Sequence, residues 1–418
     1  MYIRIKRLFY FPLAFYFRFF ASLRLKFWNP RIIVITGSSG KTTLLHLVES
    51  QIGDKAKYTH EANSSFGIPF DILGIHRKDL TFIEWPKIVF LPIFSLFKPV
   101  PREKIYIVEA DCDRPYEGNF ISSLLKPEVT AWTNVSRTHS MNFDRLVGKN
   151  KFSRIENAIA YEFGYFIERT RNLVIINDDD LYEASELGRT MANVVSVSSK
   201  HSLKNYSISL GKTEFKFDDF VVSFRYLMPG EISTSILMAR QITNYLGIEF
   251  DVTFGKFILP PGRNSLFEGI KGTTIVDSTY NANMDSMSAV VGMFGKIKAR
   301  KKWVVLGDML EQGKEEKEEH ENLAKLILNF KFDRIILMGP RVTQYTKPLL
   351  PDSTVAFLGP KEVLEYLKSN LRGGEIILFK GARFLEGVIE HLLKNKKNIE
   401  MLSRREKIWE IRRKKWGL

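Results

Sequence analysis

The stretch that decides the fold is residues 31–43, which read RIIVITGSSGKTT. Residues 32–35 are a β-branched run typical of a buried parallel strand. The glycine-rich turn that follows ends in Lys41 and Thr42, and residues 44–52 can continue as a helix. Strand, glycine-rich turn, Lys-Thr and helix are the parts of a P-loop, so this stretch predicts a nucleotide-binding α/β domain.

The chemistry of this turn is phosphate binding. Glycines let backbone N–H groups approach phosphate oxygens, and the helix N-terminus adds a favourable dipole. We expect Lys41 to reach the β- and γ-phosphates and the Thr42 hydroxyl to ligate Mg²⁺. The predicted cofactor-binding residues of the turn are Gly37, Ser38, Ser39, Gly40, Lys41, Thr42 and Thr43.

The net charge of +15 suggests a polyanionic partner, but its distribution argues against nucleic acid. Residues 1–30 hold six Lys or Arg and no acid, and residues 394–418 hold ten Lys or Arg and three Glu. The body between these ends is nearly neutral, so no nucleic-acid partner is predicted. A hydrophobic fraction of 44% excludes a disordered chain. One cysteine excludes an intrachain disulfide and a multi-cysteine zinc site.

Residues 1–30 form a basic, aromatic N-terminal segment. Its longest uncharged run, residues 8–17, is half of the ~20 residues that a membrane span needs. Pro12 is predicted to split the segment, and beyond it Arg18 and Lys26 fall on one helical face. Two alternatives are open: a helix lying on an anionic membrane surface, and a helix docked on the protein's own body.

A second apolar segment, residues 85–101, reads WPKIVFLPIFSLFKPVP. Its four prolines argue against a regular helix or a central strand, so the sequence predicts an irregular loop. Exposed apolar loops often mark interaction sites, whereas burial is the commoner fate of apolar residues. The sequence leaves open which of the two applies here.

The short loop resembles that of the Mur ligase family, the ATP-dependent amide ligases of cell-wall peptide assembly. Residues 107–144 resemble the family's second block and read IVEADCDRPYEGNFISSLLKPEVTAWTNVSRTHSMNFD. Three later blocks are similar to one branch, the UDP-N-acetylmuramoyl-tripeptide–D-alanyl-D-alanine ligases. These blocks are IVDSTYNANMDSM at 275–287, VVLGDMLE at 304–311 and ILFKGAR at 377–383.

The resemblance implies an ATP site with two Mg²⁺ ions and a set of catalytic residues. The catalytic residues would be Lys41, Glu109, His139 and Lys151. The metal ligands would be Thr42, Glu109, His139 and Lys151. The family also uses a lysine carbamylated by CO₂, which turns a cation into a metal-ligating anion. Lys151 is the first candidate for this carbamate and Lys149 the second.

The resemblance also implies binding residues outside the turn. Nucleotide contacts would come from Asn134, Arg263, Asp277, Tyr280 and Asn281. The acyl substrate would meet a loop that contains Asn63, Ser64, Ser65 and Gly67. Lys380 and Arg383 would face the amine substrate or phosphate. His320 lies in a charge-rich helical stretch and is predicted to be structural.

The predicted fold is α/β. A P-loop central domain with a mostly parallel sheet is followed by a smaller C-terminal Rossmann-like α/β domain, because strands and helices alternate throughout. The expected divisions are a basic segment at 1–30, a central domain at 31–256, a C-terminal domain at 257–395 and a basic tail at 396–418. Because the P-loop strand begins at Arg31, we expect no separate N-terminal UDP-binding domain, with which the branch normally starts.

The expected function is ATP-dependent ligation of an amino acid or dipeptide to a peptide carboxylate of a cell-envelope precursor, through an acyl phosphate. A Mur-like ligase outside peptidoglycan synthesis, of polyglutamate or pseudomurein type, is an alternative, acting on a membrane-linked substrate. Two other classes are a basic NTPase acting on nucleic acid and an ATP-binding protein without catalysis. The protein is expected to be a cytoplasmic monomer, with residues 1–30 providing a peripheral position on the inner face of the membrane.

Overall fold

The structure, a computed structural model, describes residues 2–60, 62–77, 84–147, 152–382 and 384–418, with side chains from Tyr10 onward. The chain forms two compact units. The first comprises Met1–Ser136, Arg145–Ser198 and Thr234–Phe250, and the second comprises Arg137–Asp144, Ser199–Ser233 and Asp251–Leu418.

Helices and strands alternate along most of the chain. The α-helices are α1 (Tyr2–Trp28), α2 (Lys41–Ile52), α3 (Gly67–Leu73), α4 (Trp85–Ser95), α5 (Glu117–Leu125), α6 (Asp144–Val147), α7 (Ile155–Glu168), α8 (Leu181–Glu186), α9 (Ser199–Ser202), α10 (Ile232–Leu246), α11 (Met284–Lys296), α12 (Glu316–Leu328), α13 (Pro360–Asn370), α14 (Leu385–Leu392) and α15 (Lys407–Lys414). The strands are β1 (Arg31–Thr36), β2 (Ala56–Tyr58), β3 (Ile105–Glu109), β4 (Val129–Trp132), β5 (Leu173–Asn177), β6 (Asn193–Val197), β7 (Leu203–Ser209), β8 (Lys212–Phe217), β9 (Val221–Phe224), β10 (Ser265–Glu268), β11 (Thr274–Ser278), β12 (Lys302–Gly307), β13 (Arg334–Met338), β14 (Val355–Phe357) and β15 (Ile376–Lys380).

The first unit is built on a six-stranded parallel sheet in the order β2-β3-β1-β4-β5-β6. β1 lies in its interior, and residues 32–35 are buried as their β-branched sequence predicts. Ile35 is in register with Glu109 of β3 and with Ala131 of β4. The carboxyl ends of these three strands therefore meet at one edge, the position at which open α/β sheets bind ligands.

The second unit contains a six-stranded sheet in the order β10-β11-β15-β12-β13-β14. β10 is antiparallel to β11, and the other neighbours are parallel. Apolar side chains are buried on both faces of this sheet, with Val304 and Leu306 on one face and Val305 and Phe379 on the other. A three-stranded antiparallel sheet, β7-β8-β9, belongs to the same unit. The predicted α/β class with mostly parallel sheets is confirmed, whereas the predicted domain boundaries stay predictions.

The prediction that Pro12 splits the N-terminal segment is wrong. α1 runs through Pro12 without interruption. Tertiary contacts on both sides of the proline hold the helix: Tyr10 donates a hydrogen bond to Glu117, at 2.6 Å, while Ala14 and Phe17 are buried against the first unit. These contacts offset the backbone hydrogen bond that a proline removes from a helix.

The prediction of an irregular loop at residues 85–101 is wrong for residues 85–95 and right for residues 96–101, which lie outside any helix or strand. Residues 85–95 form α4. Pro86 stands in the first helical turn, where its missing N–H costs nothing, and only Pro92 lies inside the helix. The other two prolines, Pro99 and Pro101, follow the end of the helix. The error arose because the prediction counted the prolines and did not consider where each one stands relative to the helix.

No helix in the described ranges combines the length and the apolar character that crossing a bilayer requires.

Candidate active site

The turn between β1 and α2 depends on two glycines. Gly37 has a φ of +123° and Gly40 a φ of +82°, values that L side chains rarely adopt. A Cβ on Gly37 would lie 2.3 Å from the Thr133 hydroxyl and 2.9 Å from the Asn134 carbonyl. The turn therefore packs directly against the end of β4. Gly37 is required by close approach as well as by backbone angle, and Gly40 by backbone angle alone.

Asn134 holds the shape of this turn. Its side chain accepts a hydrogen bond from the backbone N–H of Ser39 at 2.9 Å and donates one to the Ser39 hydroxyl at 2.7 Å. Its carbonyl accepts a hydrogen bond from the N–H of Ser38, also at 2.9 Å. The predicted nucleotide contact of Asn134 stays a prediction, while the structure assigns it a supporting role in the phosphate-binding turn.

Lys41 is buried at the start of α2 and pairs with a carboxylate. Its Nζ lies 2.8 Å from Oδ2 of Asp111 and also donates to the Gly37 carbonyl. Burial alone would lower the pKa of Lys41, but Asp111 and the nearby Glu109 outweigh it, so the pKa is raised. The lysine is thus a permanent cation at the turn. Sequence reasoning missed Asp111, although it follows β3 by only two residues.

Thr42 and Glu109 bring hard oxygen atoms together beside the turn. The Thr42 hydroxyl donates a hydrogen bond to Oε1 of Glu109 at 3.0 Å. A hydroxyl and a carboxylate are the donor types that Mg²⁺ prefers, so these two predicted ligands fit the ion. Thr43 is buried in the first turn of α2.

The loop predicted to bind the acyl substrate lies next to this pair. The Asn63 amide approaches Glu109 at 3.4 Å, and its carbonyl accepts a hydrogen bond from the N–H of Asp111. The Ser65 hydroxyl donates to the buried Glu117 at 2.9 Å, while that of Ser64 accepts from the N–H of Gly67. The first unit thus brings together the turn, Thr42, Glu109 and this loop.

His139 belongs to the second unit, where its Nδ1 pairs with Glu311. The backbone around it is tied to the same residue, since the N–H of Met141 donates to the Glu311 carbonyl at 3.2 Å. The metal role predicted for His139 stays a prediction. Lys149, Lys151 and Arg383 lie outside the described residues.

Asp277 and Lys380 are buried ionisable groups at the ends of β11 and β15 in the second unit. Oδ1 of Asp277 accepts hydrogen bonds from the N–H and the hydroxyl of Thr279, whereas Oδ2 has no hydrogen-bond partner among the described residues. Burial raises the pKa of Asp277 against these bonds. Lys380 donates to the Asn281 carbonyl at 2.6 Å. Burial, with the positive charge of Arg263, lowers the pKa of Lys380 to about 7.

The loop between β11 and α11 is held from the far end of the chain. Arg404 donates hydrogen bonds to the carbonyls of Thr279, at 2.9 Å, and Tyr280. The guanidinium groups of Arg404 and Arg263 lie 5.9 Å and 4.6 Å from the centre of the Tyr280 ring. Sequence reasoning missed Arg404, because a run of basic residues carries no signal of which one reaches a backbone carbonyl.

His320 is buried and internally bonded, as predicted for a structural residue. Its Nδ1 lies 2.6 Å from the Glu316 carbonyl, and its Nε2 accepts a hydrogen bond from the N–H of Met309. Burial lowers the pKa of His320, which favours its neutral form.

Comparison with known families decides the membership. Residues 35–247 match the model of the Mur ligase middle domain, and residues 262–383 match that of the Mur ligase glutamate ligase domain. The chain belongs to the Mur ligase family. This family consists of ATP-dependent enzymes that form amide bonds, so the resemblance stated from the motifs is confirmed.

Individual Mur ligases agree with this result. The UDP-N-acetylmuramoyl-tripeptide–D-alanyl-D-alanine ligase of Borreliella burgdorferi is 24% identical, with 84% of this chain and 72% of the relative covered. The enzyme of the same name from Bacillus subtilis is 25% identical, with 87% and 76% covered. The solved MurF ligase of Thermotoga maritima, in complex with ADP, has a TM-score of 0.71 at 22% identity, with 93% of this chain and 84% of that chain covered.

Proposed function

We propose that the protein is a MurF-like ligase that joins an amine to the peptide carboxylate of a cell-wall precursor through an acyl phosphate. The observation that carries this proposal is the arrangement at the edge of the first sheet. There a buried, paired Lys41 stands beside a Thr42–Glu109 oxygen pair and the Asn63–Gly67 loop. Phosphoryl transfer to a bound carboxylate requires a cation, a pair of oxygen ligands that suits Mg²⁺ and an adjoining polar loop.

The two chemical steps place different demands on these residues. In the first, a carboxylate oxygen of the acyl substrate attacks the γ-phosphorus of ATP, and ADP leaves. In the second, the amine attacks the acyl carbon, phosphate leaves and the amine loses a proton. Lys41 and the backbone N–H groups of the turn would stabilise the negative charge that gathers on the transferred phosphoryl group. Bound Mg²⁺ would supply further positive charge, held in part by Thr42 and Glu109.

The identity of the two substrates is proposed from the relatives. Both sequence relatives described above are named UDP-N-acetylmuramoyl-tripeptide–D-alanyl-D-alanine ligases. We therefore propose a D-Ala-D-Ala-like dipeptide as the amine and a muramoyl peptide as the acyl donor. The loop with Asn63, Ser64, Ser65 and Gly67 would hold the acyl chain, and Lys380 with Arg383 the amine or phosphate. A lysine carbamate at Lys151, or at Lys149, stays part of the proposal, as does His139 as a second metal ligand.

The carrier of the acyl donor is open to a further proposal. α1 lies directly before the P-loop strand and is rich in basic and aromatic residues. A precursor that is linked to, or handled at, the membrane would suit this arrangement, and so would a ligase of polyglutamate or pseudomurein type. We propose accordingly a cytoplasmic monomer that meets its substrate at the inner face of the membrane.

Mass spectrometry of the products tests the function. The full chain is incubated with ATP, Mg²⁺, candidate muramoyl peptides and a pool of amino acids and dipeptides. We expect a product heavier than the acyl donor by the amine minus water, with ADP and phosphate formed in equal amounts. Lys41→Ala should abolish it, whereas Lys55→Ala, an exposed lysine beyond the end of α2, should not. ATP hydrolysis stimulated by DNA or RNA alone would contradict the proposal and favour the nucleic-acid NTPase. Nucleotide binding without any turnover would favour an ATP-binding protein that has lost catalysis.

A further inference from the structure

Two helices of the first unit carry large apolar side chains that face solvent. On α1 these are Phe15 and Phe19, and on α4 and the turn after it they are Phe90, Ile93, Phe94 and Phe97. Their side chains are between 43% and 84% exposed, whereas Phe17 and Trp28 on the other side of α1 are buried. We call these six residues the aromatic face. Exposed apolar surface of this kind is unfavourable in water unless something covers it.

The helices that carry the aromatic face are firmly attached to each other and to the unit. Tyr16 of α1 donates a hydrogen bond to the Val89 carbonyl of α4 at 2.7 Å. Arg24 of α1 is buried and donates to the carbonyls of Ile72, at 3.0 Å, and Pro99, at 2.7 Å. Because α1 buries its opposite side in the unit, the aromatic face is a fixed feature of the fold.

The two segments that carry the aromatic face contain basic residues and no acid of their own. Lys26, Lys87 and Lys98 are exposed on the same two helices and the turn after α4. Residues 1–30 and 85–102 contain Lys and Arg but not one Asp or Glu. A second copy of this chain docked through the same face would bring these cations close to one another. An anionic surface would neutralise them, and aromatic side chains with flanking lysines are what amphipathic helices present to a lipid headgroup region.

We propose that the aromatic face is a lipid-binding surface that seats the protein on an anionic membrane. The phenylalanines would enter the boundary between headgroups and acyl chains, while the lysines stay at the headgroup level. Neither helix would cross the bilayer.

The same helix supports the loop assigned to the acyl substrate. The ring of Phe66 in this loop lies 4.9 Å from that of Tyr10 and 6.1 Å from that of Phe17. Tyr10 and Ser65 both donate hydrogen bonds to Glu117. A membrane-seated α1 would therefore hold the loop about one helix diameter, ~10 Å, from the lipid surface. This step rests on the proposed function, and it favours an acyl donor with a lipid carrier over a free one.

Vesicle co-sedimentation tests the surface directly. The full chain is mixed with phosphatidylcholine vesicles that contain either no anionic lipid or 30 mol% phosphatidylglycerol. We expect binding to the anionic vesicles that weakens as salt rises. A triple variant with Phe90→Ser, Phe94→Ser and Phe97→Ser should have a partition coefficient at least about tenfold lower, since it lacks the apolar surface that each ring would bury in the lipid. Lys26→Gln, Lys87→Gln and Lys98→Gln together should lower it about fivefold per lysine.

Matched controls use equally exposed side chains elsewhere. Two triple variants should bind vesicles like the wild type. One combines Leu181→Ser, Met191→Ser and Ile258→Ser, and the other combines Lys216→Gln, Lys325→Gln and Lys331→Gln. A Phe94→Trp variant adds a positive signal: its added fluorescence should shift to the blue and be quenched by brominated lipid. Equal vesicle binding by the wild type and the triple Phe variant would overturn the proposal. So would a lipid-free dimer that this variant abolishes, which would assign the face to a second copy.

The vesicle result and the ligase result can fail separately. Product formation from a water-soluble acyl donor is measured for the same variants, and we expect it to be unchanged. Vesicle binding without product formation, from the water-soluble donor or from a lipid-linked one, would support the surface and refute the ligase. Product formation without vesicle binding would refute the surface and leave the ligase.

Discussion

The two candidate nucleotide-binding regions manage buried charge in opposite ways. In the first unit, buried Lys41 lies 2.8 Å from an Asp111 oxygen and keeps its charge. In the second unit, buried Lys380 contacts a backbone carbonyl, at 2.6 Å, and its pKa falls to about 7. The nearby Asp277 has a raised pKa and an oxygen without a hydrogen-bond partner among the described residues.

This difference shows which of the two regions satisfies its buried charges without a ligand. The P-loop region satisfies its own charges, so its geometry is fixed before any ligand arrives. Lys380 has a pKa close to neutral pH, so an anionic ligand near it would raise that pKa. Binding of the ligand would then be accompanied by uptake of a proton by Lys380. Four predictions test this contrast, in order of decreasing effect.

Asp111→Asn should have the largest effect on stability. It removes the carboxylate that lies 2.8 Å from buried Lys41, and breaking a buried pair from one side costs about 3–5 kcal/mol. Chemical denaturation measures the loss as a decrease in the free energy of unfolding. Asp113→Asn is the matched control, because the charge of Asp113 acts on Lys41 less strongly than that of Asp111, so its loss should cost far less. Equal losses in both variants would mean that the Lys41–Asp111 pair is not what fixes the region.

Gly37→Ala should weaken both folding and nucleotide binding. The new Cβ would meet Thr133 at 2.3 Å in a backbone conformation with φ of +123°, which we expect to cost about 2–3 kcal/mol. Gly53→Ala is the control, since Gly53 also has a positive φ but nothing within 4 Å of its Cβ. Its cost should be about 1 kcal/mol, from the backbone angle alone. Calorimetric titration with ADP would follow the binding, and a Gly37→Ala protein that binds ADP normally would count against the close approach.

Lys380→Met should change how stability depends on pH. The pKa of Lys380 is about 7 in the folded chain and near 10.5 when exposed. Between these values the unfolded state binds the additional proton, so this lysine makes wild-type stability rise with pH through that window. Methionine removes the effect. The stability of the variant relative to the wild type should therefore fall by about 2–3 kcal/mol from pH 6 to pH 9. A relative stability that does not vary with pH would show that Lys380 titrates normally.

Arg404→Ala should have the smallest effect. Losing two hydrogen bonds to the Thr279–Tyr280 backbone should loosen the loop and raise KM for ATP about fivefold, with kcat little changed. Arg404→Lys should recover part of the loss. Arg412→Ala is the control, because Arg412 is exposed and stacks on Trp409 rather than on the loop. An equal fall in kcat and kcat/KM would place Arg404 in the chemical step instead.

The local elements were predictable where one signal dominates. The β-branched run of β1, the glycine turn and the start of α2 follow from side-chain shape and backbone freedom, and the structure has them where the sequence predicts. The prolines misled the prediction at Pro12 and Pro92, because buried neighbours hold each helix against its missing hydrogen bond. In the candidate site, the sequence predicted only residues that belong to recognisable motifs. Asp111 and Arg404 belong to it through spatial proximity, which residue spacing does not encode.

By itself, the sequence determined the α/β class, the phosphate-binding turn, the family and the separation of charge into two basic ends. These properties depend on residue type and on short-range spacing, which the chain carries in any conformation. Only the tertiary structure decided that Lys41 stays charged while Lys380 loses its proton near neutral pH. It alone also decided that α1 buries one side and presents phenylalanines on the other. The physical reason is that burial and counter-charges come from residues distant in sequence, and these contacts exist only once the chain has folded.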